Sequence, residues 1–184
     1  GGMGAVYRAK DLKLGREIAL KVMHGQFAQQ PQFQRRFMQE AQSAAQLNHP
    51  SIVKIHSFDT LTNMLYIDME LIPGDTLGKH LRRLIEKGEA VQLKETLLLI
   101  AQVADALGYA HRRGVFHRDI KPGNVIVRPL EQPETPGGPL LRAVVTDFGL
   151  AKPQAGGIQT QSGALMGTLP YMSPEQIEGR PIDG

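Results

Sequence analysis

The chain of 184 residues contains no cysteine, so it can form no disulfide, no thiolate metal site and no cysteine nucleophile. This composition suits a reducing compartment. The longest apolar stretches, such as residues 97–101, are far too short to cross a bilayer. The net charge of +3 is too small to indicate nucleic acid as a partner. With 41% hydrophobic and 21% charged residues, the composition is that of an ordinary globular protein.

Strand patterns dominate the first third of the chain. Residues 5–10 and 16–23 flank a turn-like segment and predict a hairpin, and residues 52–58 and 64–72 predict a second strand pair. Between the two pairs, apolar residues at helical spacing predict a helix over residues 31–47.

Helical patterns take over after Pro73 and Gly74. Helices are predicted over residues 76–87 and 94–113, and a short hairpin over residues 125–127 and 143–145 around a Pro- and Gly-rich loop. A strand-rich part followed by a helix-rich part predicts an α+β protein with two lobes. The cleft between such lobes is the first place to look for a ligand.

Glycines stand at the start of the chain, between two strands of the predicted arrangement rather than before a helix. Gly1 and Gly4, followed by Val6, precede a strand rather than a helix, which argues against a dinucleotide-binding turn. Glycines at a hairpin tip allow backbone N–H groups to approach a phosphate closely. A plain tight turn explains the same residues equally simply.

A lysine and a glutamate in the first part of the chain lie on apolar faces. Lys21 shares one face of its predicted strand with Ala19, and Glu40 falls on the apolar stripe of the helix. Because a buried carboxylate needs a cation, we expect Lys21 to pair with Glu40. The alternative is two unrelated, solvated charges.

The segment His-Arg-Asp-Ile-Lys-Pro-Gly-Asn, residues 117–124, carries the strongest signal for chemistry. Asp119 can accept a hydroxyl proton, Lys121 can neutralise a phosphoryl oxygen, and Asn124 can bind a hard cation. Asp147, in a Thr-Asp-Phe-Gly segment, supplies a second oxygen that could hold Mg²⁺ with Asn124. Polar turns explain either segment alone, but they explain both in this order poorly.

These motifs together resemble the catalytic domain of a eukaryotic-like serine/threonine protein kinase of bacterial type. The matching positions run in order along almost the whole chain: Gly1, Gly4, Val6, residues 18–21, Glu40, residues 117–124, residues 147–149 and residues 173–175. The sequence Lys-Pro-Gly-Asn at 121–124 resembles serine/threonine rather than tyrosine kinases. Ser173 replaces a common alanine, and residues 129–141 lengthen a hairpin that is usually tight.

The resemblance implies a nucleotide site between the lobes. Gly1 and Gly4 would cover the phosphates of ATP, and Lys21, paired with Glu40, would contact the α- and β-phosphates. The adenine ring would be held by Val6, Ala19 and Ile126, by the gatekeeper Met69, and by the backbone of Glu70 and Ile72.

The same resemblance assigns the catalytic and regulatory residues. Asp119 would be the catalytic base, Lys121 the phosphate-neutralising lysine, and Asn124 and Asp147 the Mg²⁺ ligands. Arg118 would receive a phosphate added to Thr160 or Ser162 in the glycine- and glutamine-rich loop that follows Asp147. Thr168 would reach back toward Asp119.

The implied fold is a two-lobed, protein-kinase-like α+β fold truncated at both ends. We expect a small sheet lobe with the hinge over residues 1–72, lacking its first strand, and a mainly helical lobe over residues 73–184, lacking later helices. The implied activity is ATP- and Mg²⁺-dependent phosphoryl transfer to serine and threonine hydroxyls of proteins in signal transduction. We expect the isolated chain to be inactive, because part of its packing lies outside it.

The implied partners are ATP, protein substrates and a second kinase molecule for autophosphorylation, with no nucleic acid. The implied location is the cytoplasm, with room for a membrane anchor elsewhere in the full-length protein. Two other functions stay open: a nucleotide-binding pseudokinase that serves as an interaction module, and a small-molecule phosphotransferase with a kinase-like fold. The presence of Lys21, Asp119, Asn124 and Asp147 argues against the first.

Overall fold

A computed structural model describes residues 4–23, 25, 29–61, 64–133, 138–148, 169–178 and 180. The first part contains strands β1 (Gly4–Asp11), β2 (Arg16–Met23), β3 (Ile55–Leu61) and β4 (Met64–Glu70), with helix α1 (Pro31–Ala45) between β2 and β3. The second part contains β5 (Asp75–Thr76), α2 (Leu77–Glu86), α3 (Leu93–His111), β6 (Val125–Pro129), β7 (Leu141–Val145) and α4 (Pro174–Glu178). The predicted order of elements is confirmed, and neither β5 nor α4 was predicted.

The first lobe is an antiparallel sheet, in the order β1-β2-β4-β3, with α1 packed against it. The register places Ala19 opposite Met69 and Lys21 opposite Ile67, so all four side chains lie on one face of the sheet. The face of α1 that packs toward the core carries Phe37, Ala41 and Ala44 at helical spacing. These residues join the sheet side chains in one hydrophobic core.

The second lobe is built around the three-stranded sheet β5-β6-β7 and helix α3. The Gln102 side chain fixes α3 to β7, because its amide donates to the carbonyl of Leu141 at 3.2 Å and accepts from the N–H of Ala143 at 2.9 Å. Thr76, predicted as the first residue of a helix, is instead the N-cap of α2 and accepts from the N–H of Lys79 at 3.3 Å.

Backbone hydrogen bonds join the two lobes. The predicted strand over residues 52–58 begins only at Ile55, because the residues before it pair with β7. Val53 donates to the carbonyl of Val145 at 2.9 Å, and Val145 donates to the carbonyl of Ser51 at 2.9 Å. This junction fixes the end of β7, and therefore the residues that follow it, against the first lobe.

One face of the second lobe leaves apolar side chains in solvent. Ile85, Leu93, Leu97 and Ile100 are all more than half exposed, and Ile100 also lines an apolar cavity between α2 and α3. Exposed apolar surface of this kind favours association. Within the residues that the structure describes, no helix has the length and apolar character needed to cross a membrane.

Candidate active site

The three predicted catalytic residues lie together on the loop between α3 and β6. Lys121 Nζ contacts Asp119 Oδ2 at 2.8 Å, and Asn124 Nδ2 donates to the same oxygen at 3.1 Å. Asn124 Nδ2 also donates to the backbone carbonyl of Asp119 at 2.8 Å. A short 3₁₀ turn, Pro122–Asn124, returns the chain so that the amide faces the carboxylate. The loop thus holds one carboxylate between a cation and an amide.

His117 holds this loop in place through hydrogen bonds of both ring nitrogens. Its Nδ1 accepts from the N–H of Asp119 at 3.2 Å, and its Nε2 lies 2.8 Å from the carbonyl of Thr146. Burial is the main influence on its pKa and lowers it from the usual value. A neutral ring with the proton on Nε2 satisfies both hydrogen bonds. His117 therefore ties the catalytic loop to the residue that precedes Asp147.

Asp147 follows β7 and faces the buried lysine of the first lobe. Its Oδ1 lies 2.7 Å from Lys21 Nζ, and the lysine is buried. Asp147 has a φ of 63° and Arg118 a φ of 60°, a left-handed conformation that is uncommon for residues other than glycine. Such strain persists only where the surrounding structure enforces it, which is typical of functional sites.

The predicted pairing of Lys21 with Glu40 is wrong for this structure. Lys21 pairs with Asp147, whereas Glu40 Oε1 lies 3.3 Å from Arg118 Nη1. Burial raises the pKa of the Glu40 carboxyl, and the guanidinium groups of Arg118 and Arg36 oppose that effect. The half-buried carboxylate does take a cation, as expected, but the cation comes from the catalytic loop.

Most of the residues expected around adenine lie in the main core or pack against it. Ala19 and Met69 are buried, Ile126 is half-buried on β6, and Val6 is exposed on β1 opposite Lys21. At the hinge, the N–H of Glu70 donates to the carbonyl of Lys54 at 2.9 Å. Ile72 is buried two residues later.

Gly4 has a packing reason to be glycine. A Cβ at this position would clash with the carbonyl oxygen of Val22 on the neighbouring strand. The close approach of β1 and β2 therefore requires glycine here, whether or not a phosphate is bound. Gly1, Thr160, Ser162 and Thr168 lie outside the described residues.

Two positioning residues were not predicted. Phe148 is buried in the main core, and its ring centroid lies 4.7 Å from that of His117, so it anchors the chain immediately after Asp147. Gln176, on α4, donates to the carbonyl of Arg118 at 2.7 Å and ties that helix to the catalytic loop. Phe148 stands in a motif that the sequence had singled out, whereas nothing in the sequence distinguishes Gln176.

Comparison with known proteins explains this arrangement. The family model for the protein kinase domain matches residues 1–184. The chain belongs to the protein kinase family. The assigned fold, a sheet lobe and a helical lobe of the protein kinase type, is confirmed by solved structures. The crystal structure of the Mycobacterium tuberculosis PknI kinase domain matches with a TM-score of 0.71 and 31% identity, over 100% of this chain and 63% of that one.

Named bacterial serine/threonine kinases are similar along the whole chain. The probable serine/threonine-protein kinase SCO3848 of Streptomyces coelicolor is 41% identical over 100% of this chain and 26% of its own length. The serine/threonine-protein kinase PknA of Mycobacterium tuberculosis is 38% identical over 97% of this chain and 39% of its own length. The chain thus spans well under half the length of these relatives.

Proposed function

We propose that the protein containing this chain is a serine/threonine protein kinase that transfers the γ-phosphoryl group of ATP to protein hydroxyls. Two contacts carry the proposal. Lys121 and Asn124 both contact one carboxylate oxygen of Asp119, and Asp147 pairs with Lys21 of the other lobe. Phosphoryl transfer depends almost entirely on positioning and charge stabilisation. This set of residues supplies both.

The donor set fits Mg²⁺ and the phosphates of ATP. Asn124 uses its amide nitrogen on Asp119, which leaves its carbonyl oxygen for a cation, and Asp147 offers a carboxylate. Mg²⁺ prefers a few protein oxygens together with substrate phosphates. When bound, the ion would neutralise charge on the phosphates. Asn124 and Asp147 would hold it, and Lys21 would contact the phosphates.

Each remaining residue has a role that follows from its position. Asp119 would orient the acceptor hydroxyl and accept its proton, and Lys121, already next to that carboxylate, would stabilise charge on the transferred group. Met69, Ala19, Val6 and Ile126 would enclose adenine, and the backbone of Glu70 and Ile72 would bind its edge. The sheet lobe with hinge would end at residue 72, and the cleft would lie between it and the lobe that begins at residue 73.

The acceptor class decides between this proposal and its competitors. In a phosphotransfer assay with the full-length protein, we expect Mg²⁺-dependent transfer from ATP to serine or threonine of a generic protein acceptor, and little transfer to sugars or aminoglycosides. Preferred transfer to small molecules would indicate a small-molecule phosphotransferase instead. ATP binding without any transfer would indicate a pseudokinase.

Arg118 and Glu40 suggest how the kinase is switched on. In this structure Arg118 holds Glu40, and Lys21 holds Asp147, so the lysine and the glutamate have different partners. A phosphate on the loop after Asp147 adds a charge of about −1.5 to −2 and would compete with Glu40 for the guanidinium. Glu40, once released, would be available to Lys21. Phosphorylation of Thr160 or Ser162, by a second copy of the kinase, is the proposed trigger.

Removal of both hydroxyls tests this switch. We expect mass spectrometry of the active full-length enzyme to find Thr160 and Ser162 as the main autophosphorylation sites. The double variant Thr160→Ala with Ser162→Ala should lose activity well beyond either single variant, while the matched variant Thr96→Ala on α3 should not. Full activity of an enzyme that is unmodified at both positions would refute the switch.

The other proposals concern the whole protein. Its partners would be ATP and protein substrates rather than nucleic acid, with a transient kinase pair for autophosphorylation. We propose a cytoplasmic location for this domain and leave open an anchor elsewhere in the full-length protein.

A further inference from the structure

Helix α2 lies against the catalytic loop through its first turn. A Cβ built on Gly78, in that turn, would stand 3.6 Å from the Cβ of Pro122, in the 3₁₀ turn that follows Lys121. This is an ordinary van der Waals distance, so the two turns pack closely together. The exposed side chains at the start of α2 therefore lie beside the loop that carries Asp119.

Two exposed cations of α2 are next to this contact. Lys79 follows Gly78 directly, and Arg82 stands one turn further along the helix on the face of Gly78. Arg82 Nε donates to the carbonyl of Gly78 at 3.3 Å, which holds the guanidinium over the first turn of α2. Because Lys79 and Arg82 are three residues apart, they are neighbours on the helix surface.

These two cations have no carboxylate partner within the part of the chain that the structure describes. Asp75, which precedes α2, pairs instead with Arg83, whose Nη1 lies 2.7 Å from Asp75 Oδ2. Glu86 stands one turn beyond Arg82, yet no ion pair joins it to Arg82 or Lys79. The start of α2 is therefore a positively charged surface whose charge is not neutralised by a neighbouring side chain.

The adjoining loops contribute no negative side chain to this surface. Gly123 has no side chain of its own, and a Cβ built there would have Lys121 Cε, at 4.0 Å, as its neighbour. The loop over residues 149–168 contains one lysine and no acidic residue. Outside the described residues, the acidic residues are Glu134 and Asp183, and neither belongs to these loops or to α2.

Building on the proposed kinase function, we propose that Lys79 and Arg82 select protein substrates with acidic residues close to the acceptor serine or threonine. When the acceptor hydroxyl lies at Asp119, the substrate chain on one side of it passes beside the first turn of α2. A carboxylate there would meet two cations that have no ion pair, whereas a lysine or arginine would be repelled. The charge at the start of α2 thus determines the class of substrate.

The expected preference is modest because these groups are exposed. Ion pairs between exposed side chains change an equilibrium constant by about 1.5- to 5-fold each. Two such pairs would change kcat/KM by roughly 2–20-fold. The Debye length falls from about 10 Å at 0.1 M salt to about 3 Å at 1 M, so added salt should reduce the preference.

Peptides with a single threonine test the preference on the full-length protein. In three of them, the positions within four residues of the threonine carry glutamates, glutamines or lysines. We expect kcat/KM to be highest for the glutamate peptide and lowest for the lysine peptide. A fourth peptide carries the same glutamates ten residues away, roughly 30 Å along an extended chain. It should behave as the glutamine peptide does, because its charges lie too far from α2.

Substitution of the two cations assigns the preference to them. The double variant Lys79→Gln with Arg82→Gln should lower kcat/KM for the glutamate peptide to that of the glutamine peptide, and leave the glutamine peptide unaffected. Glutamine is a good helix former, and both positions are exposed, so this variant should fold normally. The matched variant Lys13→Gln, in the exposed β1–β2 turn, should keep the preference of the unchanged protein.

Failure of this inference and failure of the kinase proposal give different results. Equal kcat/KM for the first three peptides, or no transfer to the glutamate peptide, would overturn the role of Lys79 and Arg82. An acidic preference that the double variant retains would do the same. In each case, transfer to a generic protein acceptor would leave the kinase proposal intact. Absence of transfer to every acceptor, the generic protein included, would remove both proposals.

Discussion

The substitution Asp119→Asn in the full-length protein is expected to lower kcat by roughly 10²–10⁴-fold, the usual contribution of a positioned general base. Asparagine has nearly the same shape, and its amide oxygen can still accept from Lys121 and Asn124, which contact Asp119 Oδ2 in this structure. The loop should therefore keep its conformation and lose only the group that accepts the proton. The KM for ATP should change little, because Asp119 is not assigned to the phosphates.

A matched control separates this effect from a general loss of charge. Asp105→Asn makes the same chemical change on α3, where the carboxylate is exposed and contacts His49. We expect this variant to keep the kcat of the unchanged enzyme. If Asp119→Asn retains that kcat as well, Asp119 is not the base, and the catalytic assignment fails.

The catalytic loop could be predicted because its chemistry is local. Asp119, Lys121 and Asn124 stand within six residues, and a short turn is enough to bring their side chains together. The helices and strands followed from apolar spacing, since α1 does bury Phe37, Ala41 and Ala44 as its period predicts. In these regions, the local sequence pattern is enough to determine which side chains lie together in the structure.

The ion pairs could not be predicted in the same way. Apolar spacing indicated that Glu40 faces inward and needs a cation, and this is correct. Which cation it takes depends on the relative position of the two lobes, because Lys21 and Arg118 lie far apart in the sequence.

Contacts between distant segments explain the other differences. The residues before β3 were predicted as strand because they are apolar, and they do form backbone hydrogen bonds, but with Val145 instead of the first sheet. Strand β5 has only two residues and therefore too short a pattern to detect.

The substitution Asp147→Asn is expected to reduce Mg²⁺-dependent turnover by about 10²–10³-fold, because a ligand of the proposed cation loses its charge. Asparagine is the better test than alanine. Asp147 has a left-handed backbone with a φ of 63°, which asparagine tolerates and alanine does not. The variant should therefore fold normally, and the measurement is kcat as a function of Mg²⁺ concentration.

The contact between Asp147 and Lys21 allows a second explanation of the reduced turnover. The same experiment distinguishes it from the loss of a cation ligand. If Asp147 served only to hold Lys21, the variant would raise the KM for ATP and leave the Mg²⁺ dependence unchanged, and Lys21→Met would reproduce its effect. If Asp147 binds the cation, the Mg²⁺ concentration for half-maximal activity rises in Asp147→Asn but not in Lys21→Met. Asp59→Asn, an exposed carboxylate on β3, is the matched control and should alter neither value. An unchanged Mg²⁺ dependence in Asp147→Asn would remove Asp147 from the metal site.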